Sequence, residues 1–104
     1  MSIVHAVTKQ ELEEQLKTDK IVLINFWAEW CGPCKMFGVL LNQLNEECSD
    51  KVKIIRINVD KSPELSAEYQ VLGIPHSRLI VNNQLHDPIV GFVSLEKLKK
   101  IIGV

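Results

Sequence analysis

No stretch of this 104-residue chain is long and apolar enough to cross a bilayer: its longest aliphatic run is Ile21–Ile24, against the ~20 residues a spanning helix needs. The opening Met1-Ser2-Ile3-Val4-His5 has neither the basic stretch nor the apolar stretch of an export signal. Charge of one sign is lacking too. A formal net charge of -1 leaves no electrostatic footprint for nucleic acid or an anionic membrane. A reducing cytoplasm is the expected setting, and neither a nucleic acid nor a membrane is an expected partner. The chain has no internal repeat, linker or low-complexity segment. At 104 residues, with 46% hydrophobic and 24% charged, it is expected to form one domain (1–104) that buries a single core without metals or several disulfides.

Against this plain background one stretch stands out: Phe26-Trp27-Ala28-Glu29-Trp30-Cys31-Gly32-Pro33-Cys34-Lys35. Two cysteines two residues apart sit where an apolar run gives way to a helix-period pattern, the context of a redox dithiol. A thiol at a helix N-terminus faces unpaired backbone N–H groups and the positive end of the helix dipole, which favour its thiolate. Cys31 is therefore read as the attacking thiol. Cys34, one turn further in and shielded by its own helix, is read as the resolving thiol. Pro33 suits a first helical turn, where its missing N–H would be unpaired anyway, and Gly32 leaves the front of the site uncrowded. A zinc site would need its remaining ligands from Cys48, His5, His76 and His86, without a second Cys-x-x-Cys pair. A structural bridge closing so short a loop would restrain little of the unfolded chain. Neither a metal nor a cofactor is expected.

The remaining elements follow from periodicity and caps. Ile3–Val7 reads as a short strand. Thr8-Lys9-Gln10-Glu11 is a capping-box signature for a helix to about Lys17, with Leu12 and Leu16 inward. Ile21–Trp27 is apolar on both alternations except at Asn25, as in a central strand covered on both faces. The next helix, from about Cys34 to Glu47, carries Phe37, Leu40, Leu41, Leu44 and Cys48 on one stripe, so Cys48 is taken as a small core residue. Gly38 within it costs about 1 kcal/mol relative to Ala. Val52–Val59 is a strand, and Ser62-Pro63-Glu64 reads as N-cap, first-turn proline and first-turn acid of a helix to about Tyr69. Leu79–Val81, the turn Asn82-Asn83 and a run near Ile89-Val90 predict a hairpin. Ser94 predicts the cap of a last helix burying Leu95, Leu98, Ile101 and Ile102. The order implies an α/β fold, a central mixed β-sheet with helices on both faces.

Trp30-Cys31-Gly32-Pro33-Cys34-Lys35 resembles the active-site motif of the thioredoxin family. The resemblance extends to Asn58-Val59-Asp60, Gly73-Ile74-Pro75 and Val90-Gly91-Phe92, in order and at the expected spacing over nearly the whole chain. It implies the thioredoxin fold and a cis Ile74–Pro75 bond lying against the dithiol, where backbone N–H and C=O groups are free to hydrogen-bond an extended client segment. Trp30, Gly73, Ile74, Pro75, Val90, Gly91 and Phe92 would form an apolar platform there; the other reading of Val90 is a core position. Gly32, Pro33, Asn25 and Pro75 are the residues the resemblance marks as tuning the dithiol.

Four positions depart from the family. Asn25 stands where most members carry a buried aspartate, Arg56 where a lysine is common, and His76 where a threonine is common. Val39 also replaces the proline at which the family's helix usually kinks. An amide cannot take the proton of Cys34, and Arg56, His76 and Arg78 have no obvious carboxylate nearby, so they must reach water, backbone carbonyls or an unidentified acid. His76 is a candidate substitute proton carrier; the alternative is a histidine satisfied by local hydrogen bonds. Asn25→Asp is expected to destabilise at neutral pH and speed disulfide exchange, unless Arg56 reaches position 25.

The resemblance implies a monomeric protein-disulfide reductase in which Cys31 attacks and Cys34 resolves, with disulfide-containing client proteins and a thioredoxin reductase as partners. The alternatives are a specialised relative with one dedicated client, or a binding module in which the dithiol is incidental. Replacing both cysteines by serine separates the last from the others.

Overall fold

Alternation along Ile21–Trp27 sets the architecture. Val22, Ile24 and Phe26 enter one buried cluster, Leu23 enters another, and none of them is more than 2% exposed. A strand buried on both sides must lie between two layers. The computed structural model describes residues 2–104. In chain order its elements are β1 (Val4–His5), α1 (Lys9–Gln15), β2 (Ile21–Trp27), α2 (Gly32–Cys48), β3 (Val52–Asn58), α3 (Pro63–Glu68), β4 (His76–Val81), β5 (Gln84–Leu85), β6 (Ile89–Val90) and α4 (Leu95–Ile102). The sheet order is β1-β3-β2-β4-β5, with β6 also on β4. β3 runs parallel to β2 and to β1, whereas β4 is antiparallel to β2. This is the mixed sheet of the thioredoxin fold.

On one face, Leu12 of α1 and Leu65 of α3 pack with Val22, Ile24, Phe26, Ile55 and Ile57. On the other, Phe37, Leu40, Leu41 and Leu44 of α2 and Leu98 and Ile102 of α4 cover Leu23, Val52, Ile54 and Leu79. Truncating such fully buried side chains to alanine typically costs about 2–5 kcal/mol. The element that carries the dithiol is thus fixed along its length by the core.

Local signals held in most places. The Thr8 hydroxyl accepts from Glu11 N–H at 3.0 Å, and the Glu11 carboxylate accepts from Thr8 N–H at 2.9 Å. The Thr8 N–H and then the Val7 N–H, which also donates to this carboxylate, hold the Glu11 carboxyl below its ordinary range. Ser94 caps α4 through Lys97 N–H (3.1 Å), and α4 closes on Gly103 in the left-handed region (φ 92°).

Other expectations need correcting. β1 spans only Val4–His5, and α1 ends at Gln15. α2 begins at Gly32 and runs unbroken to Cys48, which is half-buried at the edge of the core and not within it. Leu16 and Leu95 are likewise half-buried, and Ile101 is exposed, because α4 presents only Leu98 and Ile102 fully to the sheet. Ser62 does not cap α3: its Oγ donates instead to Val7 O at 2.7 Å, tying α3 to the segment after β1. The hairpin return is split. Asn82 and Asn83 both take positive φ (52° and 64°) in the tight turn, as two-residue hairpins require, but β5 ends at Leu85 and β4 pairs again only with β6.

Candidate active site

β2 ends at Trp27, and a turn closed by Cys31 N–H to Ala28 O (3.2 Å) delivers Cys31 as the N-cap of α2. An N-cap accepts a hydrogen bond from the first turn. Here the acceptor is the Cys31 sulfur, which takes the Cys34 N–H at 3.2 Å. Gly32 and Pro33 fill the first two helical positions and are exposed. Cys31 and Cys34 are joined as a disulfide, with their Cα atoms 5.2 Å apart. Cys31 keeps 6% exposure while Cys34 has none. The pair is packed among Ala28, Trp27, Val59 and Ile74.

The Ile74–Pro75 bond is cis, and the Ile74 carbonyl oxygen lies 3.9 Å from Cys31 Sγ. One part of the expected docking edge is already occupied. The Pro75 carbonyl accepts from Gly91 N–H at 2.8 Å, which draws the loop after β6 onto the site. No hydrogen bond among the described residues uses the Ile74 N–H.

The platform residues gather around this point. Trp30 is 71% exposed, with its indole N–H held by Asp60 Oδ2 at 2.8 Å. Val90 is 66% exposed, so it belongs to the surface and not to the core. Phe92 is exposed on one side and meets the Phe37 ring edge-on at 5.7 Å. Gly73 is exposed and Ile74 half-buried, while Gly91 takes a positive φ of 84° that favours glycine.

Sequence reasoning missed the adjoining groove. Trp30, Gly73 and Ile74 share a shallow cavity of about 290 Å³ with Val59, Ser66, Val71 and Leu72. Leu72 is fully exposed. The available signal was an apolar Val71-Leu72 pair in a connection with neither helix nor strand periodicity.

Beneath the dithiol a polar row crosses three strands. Asn25 is paired in register with Arg56 of β3 and Ser77 of β4. It is fully buried and both its polar atoms are engaged, Nδ2 donating to Ser77 Oγ (3.1 Å) and Oδ1 accepting from Arg56 Nε (3.0 Å). The Arg56 guanidinium lies 4.5 Å from the centre of the Trp27 ring, and one of its N–H groups points at the Cys34 carbonyl at 3.5 Å. Burial lowers the guanidinium pKa from its ordinary value, but arginine stays charged.

His76 and Arg78 do not join this row. His76 pairs with Phe26 and meets its ring edge-on at 5.7 Å, on the α1/α3 face. It lies across the sheet from Asn25, which removes it as a proton carrier for Cys34. Burial first, and then Arg78, lower its pKa, so the ring is neutral, and its Nε2 is buried without a partner among the described residues. Local hydrogen bonds do not satisfy that nitrogen either. Arg78 donates to the His86 carbonyl at 2.7 Å.

The comparisons with known proteins agree with this geometry. The Thioredoxin family model matches residues 3–103. The chain belongs to the thioredoxin family. A thioredoxin from Bacillus subtilis is 37% identical over 103 residues, covering 99% of this chain and 97% of that protein. One from Rickettsia typhi is 39% identical over 85 residues, covering 82% and 81%. Among solved structures, a mutant thioredoxin from Halobacterium salinarum NRC-1 superposes with a TM-score of 0.89 at 28% identity, covering 97% of this chain and 88% of that one. Family membership together with the vicinal dithiol makes this chain a thiol–disulfide oxidoreductase acting on protein disulfides. Such thioredoxin chemistry exchanges one disulfide for another, so it needs two sulfurs within bonding reach, which Cys31 and Cys34 supply.

Proposed function

We propose that the protein is a cytoplasmic, monomeric reductant of client proteins in which Cys31 attacks, Cys34 resolves, and a thioredoxin reductase restores the dithiol. The observation that carries this reading is the asymmetry of the pair. Cys31 is the sulfur that accepts a helix N-terminal N–H and retains exposure, whereas Cys34 is sealed beneath it. A thiolate at Cys31 is favoured by that N–H and by the helix dipole, so it is the sulfur a client disulfide meets first. Gly32, Pro33, Asn25 and Pro75 shape its surroundings.

Trp30, Gly73, Ile74, Val90, Gly91 and Phe92 receive an extended client segment, with the unused Ile74 N–H as a backbone donor. The cavity beside Trp30, floored by Val59 and rimmed by Leu72, takes a client apolar side chain. Insulin reduction coupled to NADPH and a thioredoxin reductase tests the whole cycle. Sustained NADPH consumption that depends on Cys31 and Cys34 is the expected result, and turnover by the Cys31→Ser, Cys34→Ser double variant would contradict it.

A further inference from the structure

The polar row under α2 holds a positive charge for which no carboxylate is provided. None of the ion pairs among the described residues includes Arg56. Its partners are neutral: Asn25 Oδ1 at 3.0 Å, the Cys34 carbonyl at 3.5 Å and the Trp27 ring face at 4.5 Å. The path of the side chain is shaped to reach that place. A Cβ at position 38 would stand 2.9 Å from Arg56 Nη1, so Gly38, in the interior of α2, is also the opening that admits the guanidinium.

We propose that Arg56 is the positioning charge that lets Cys34 act as a thiolate, taking the place of a titrating proton acceptor at position 25, with Gly38 as the gap that admits it. The inference rests on Cys34 being the resolving thiol. A fixed cation near a thiol favours the charged form, and arginine keeps its charge where a lysine can lose it. Asn25 holds the guanidinium in place without neutralising it.

The other groups facing the site do not compete. Ala28, Trp27, Val59 and Ile74 pack the sulfurs and do not titrate near neutral pH. Ser77 of β4 is taken by Asn25. His5 of β1 lies edge-on to Trp27 and its pKa is lowered by burial, then by Arg56 and Lys61, so it adds no charge at neutral pH. Glu29, Lys35 and Asp60 are exposed, where solvent and salt screen them.

The resolving step then balances without a fixed base. On a mixed disulfide at Cys31, the Cys34 thiol releases its proton to water, and the thiolate attacks the Cys31 sulfur. The Cys31–Cys34 bond forms, the bond from Cys31 to the client sulfur breaks, and that sulfur leaves with the electron pair and is protonated by water. The client is reduced and the pair is oxidised.

The test uses reduced protein in a Cys48→Ser background and the small disulfide 5,5'-dithiobis(2-nitrobenzoate) under stopped flow. Attack by Cys31 releases one thionitrobenzoate, and resolution by Cys34 releases the second. The apparent pKa of the second release is expected below the ~8.5 of free cysteine. Arg56→Gln should raise it by about one unit and slow the second release about tenfold at pH 7, the lower end of the shift expected from a nearby charge; Arg56→Lys should recover most of the rate. Gly38→Ala, which crowds the guanidinium, should move the profile in the direction of Arg56→Gln. A second release with the same pH profile in Arg56→Gln would overturn the inference, as would an apparent pKa above 8.5 in the parent even if Arg56→Gln fails to fold. Release of only one thionitrobenzoate by the parent would overturn the assignment of Cys34, and the inference with it.

Discussion

Arg56 Nε donates to Asn25 Oδ1 at 3.0 Å, across two parallel strands in which the two residues stand in register. The contact joins two positions where the chain departs from the family pattern. An aspartate with a lysine and an asparagine with an arginine are two ways to occupy the same sites, but only the second leaves a net positive charge under the dithiol. Asn25 is fully buried, so an arginine reaching it cannot lie wholly in water. The stacking on Trp27 and the gap at Gly38 make that burial tolerable.

The expectation that Asn25→Asp would destabilise rested on Arg56 escaping to solvent, and the observed contact reverses it. A carboxylate at position 25 would pair with a guanidinium already in place, and completing a half-made buried pair removes the penalty of an uncompensated charge. Its folded-state pKa would be depressed, so the added stability is present above the unfolded value near 4 and is lost as pH falls through the folded one. Urea midpoints should show the variant about 1 kcal/mol more stable than the parent at pH 7, with the gain gone by about pH 3. A variant less stable at pH 7 and recovering in acid would mean that burial outweighs pairing.

Gly38→Ala should fail to give the usual helix benefit. An exposed helical Gly→Ala gains about 1 kcal/mol, but the new Cβ would meet Arg56 Nη1 at 2.9 Å. The expected outcome is no gain or a loss of about 1 kcal/mol in the parent, and the ordinary gain in an Arg56→Met background. Thermal or urea unfolding of the four proteins checks it, and equal effects in both backgrounds would show that the guanidinium is free to move aside.

His76 should impose an acid-side loss of stability. Its folded pKa is lowered by burial and by Arg78, so the unfolded chain takes up a proton first as pH falls below about 6.5. The contribution is complete above that value and declines below it. His76→Leu, which also removes an unpartnered Nε2, should flatten the fall in stability between pH 7 and 5 without lowering stability at pH 7. His5, shifted the same way, leaves part of the slope in place. An unchanged slope would show that His76 does not contribute.

The fold and the dithiol were legible because both write short-range signals: the two-sided apolar run of β2, the Thr8 and Ser94 caps, and Cys31 at the start of a helical stripe. What stayed hidden depends on which strands become neighbours. Nothing local to Asn25 names Arg56 and Ser77 as its partners; parallel and antiparallel register decide that. The same register sends His76 to the far face, although its number lies next to the site. Ser62 looked like a cap, but Val7 O from a distant segment competed for its hydroxyl. Leu72 gives no signal in the sequence because an exposed leucine in a connection carries no periodicity, and only the fold brings it beside Trp30.

The division of labour between the two cysteines is tested most directly by trapping clients as mixed disulfides. Attack by Cys31 survives loss of the resolving thiol, so Cys34→Ser should hold clients as covalent adducts that a reducing agent releases. With Cys48 also replaced by serine in both variants, Cys31→Ser should hold none, because the one sulfur left to it, Cys34, has no exposure at all. Non-reducing gels and mass spectrometry of a defined disulfide client mixed with each variant would read this out: adducts at Cys31 in Cys34→Ser alone are the predicted result, and equal trapping by both variants would contradict the account.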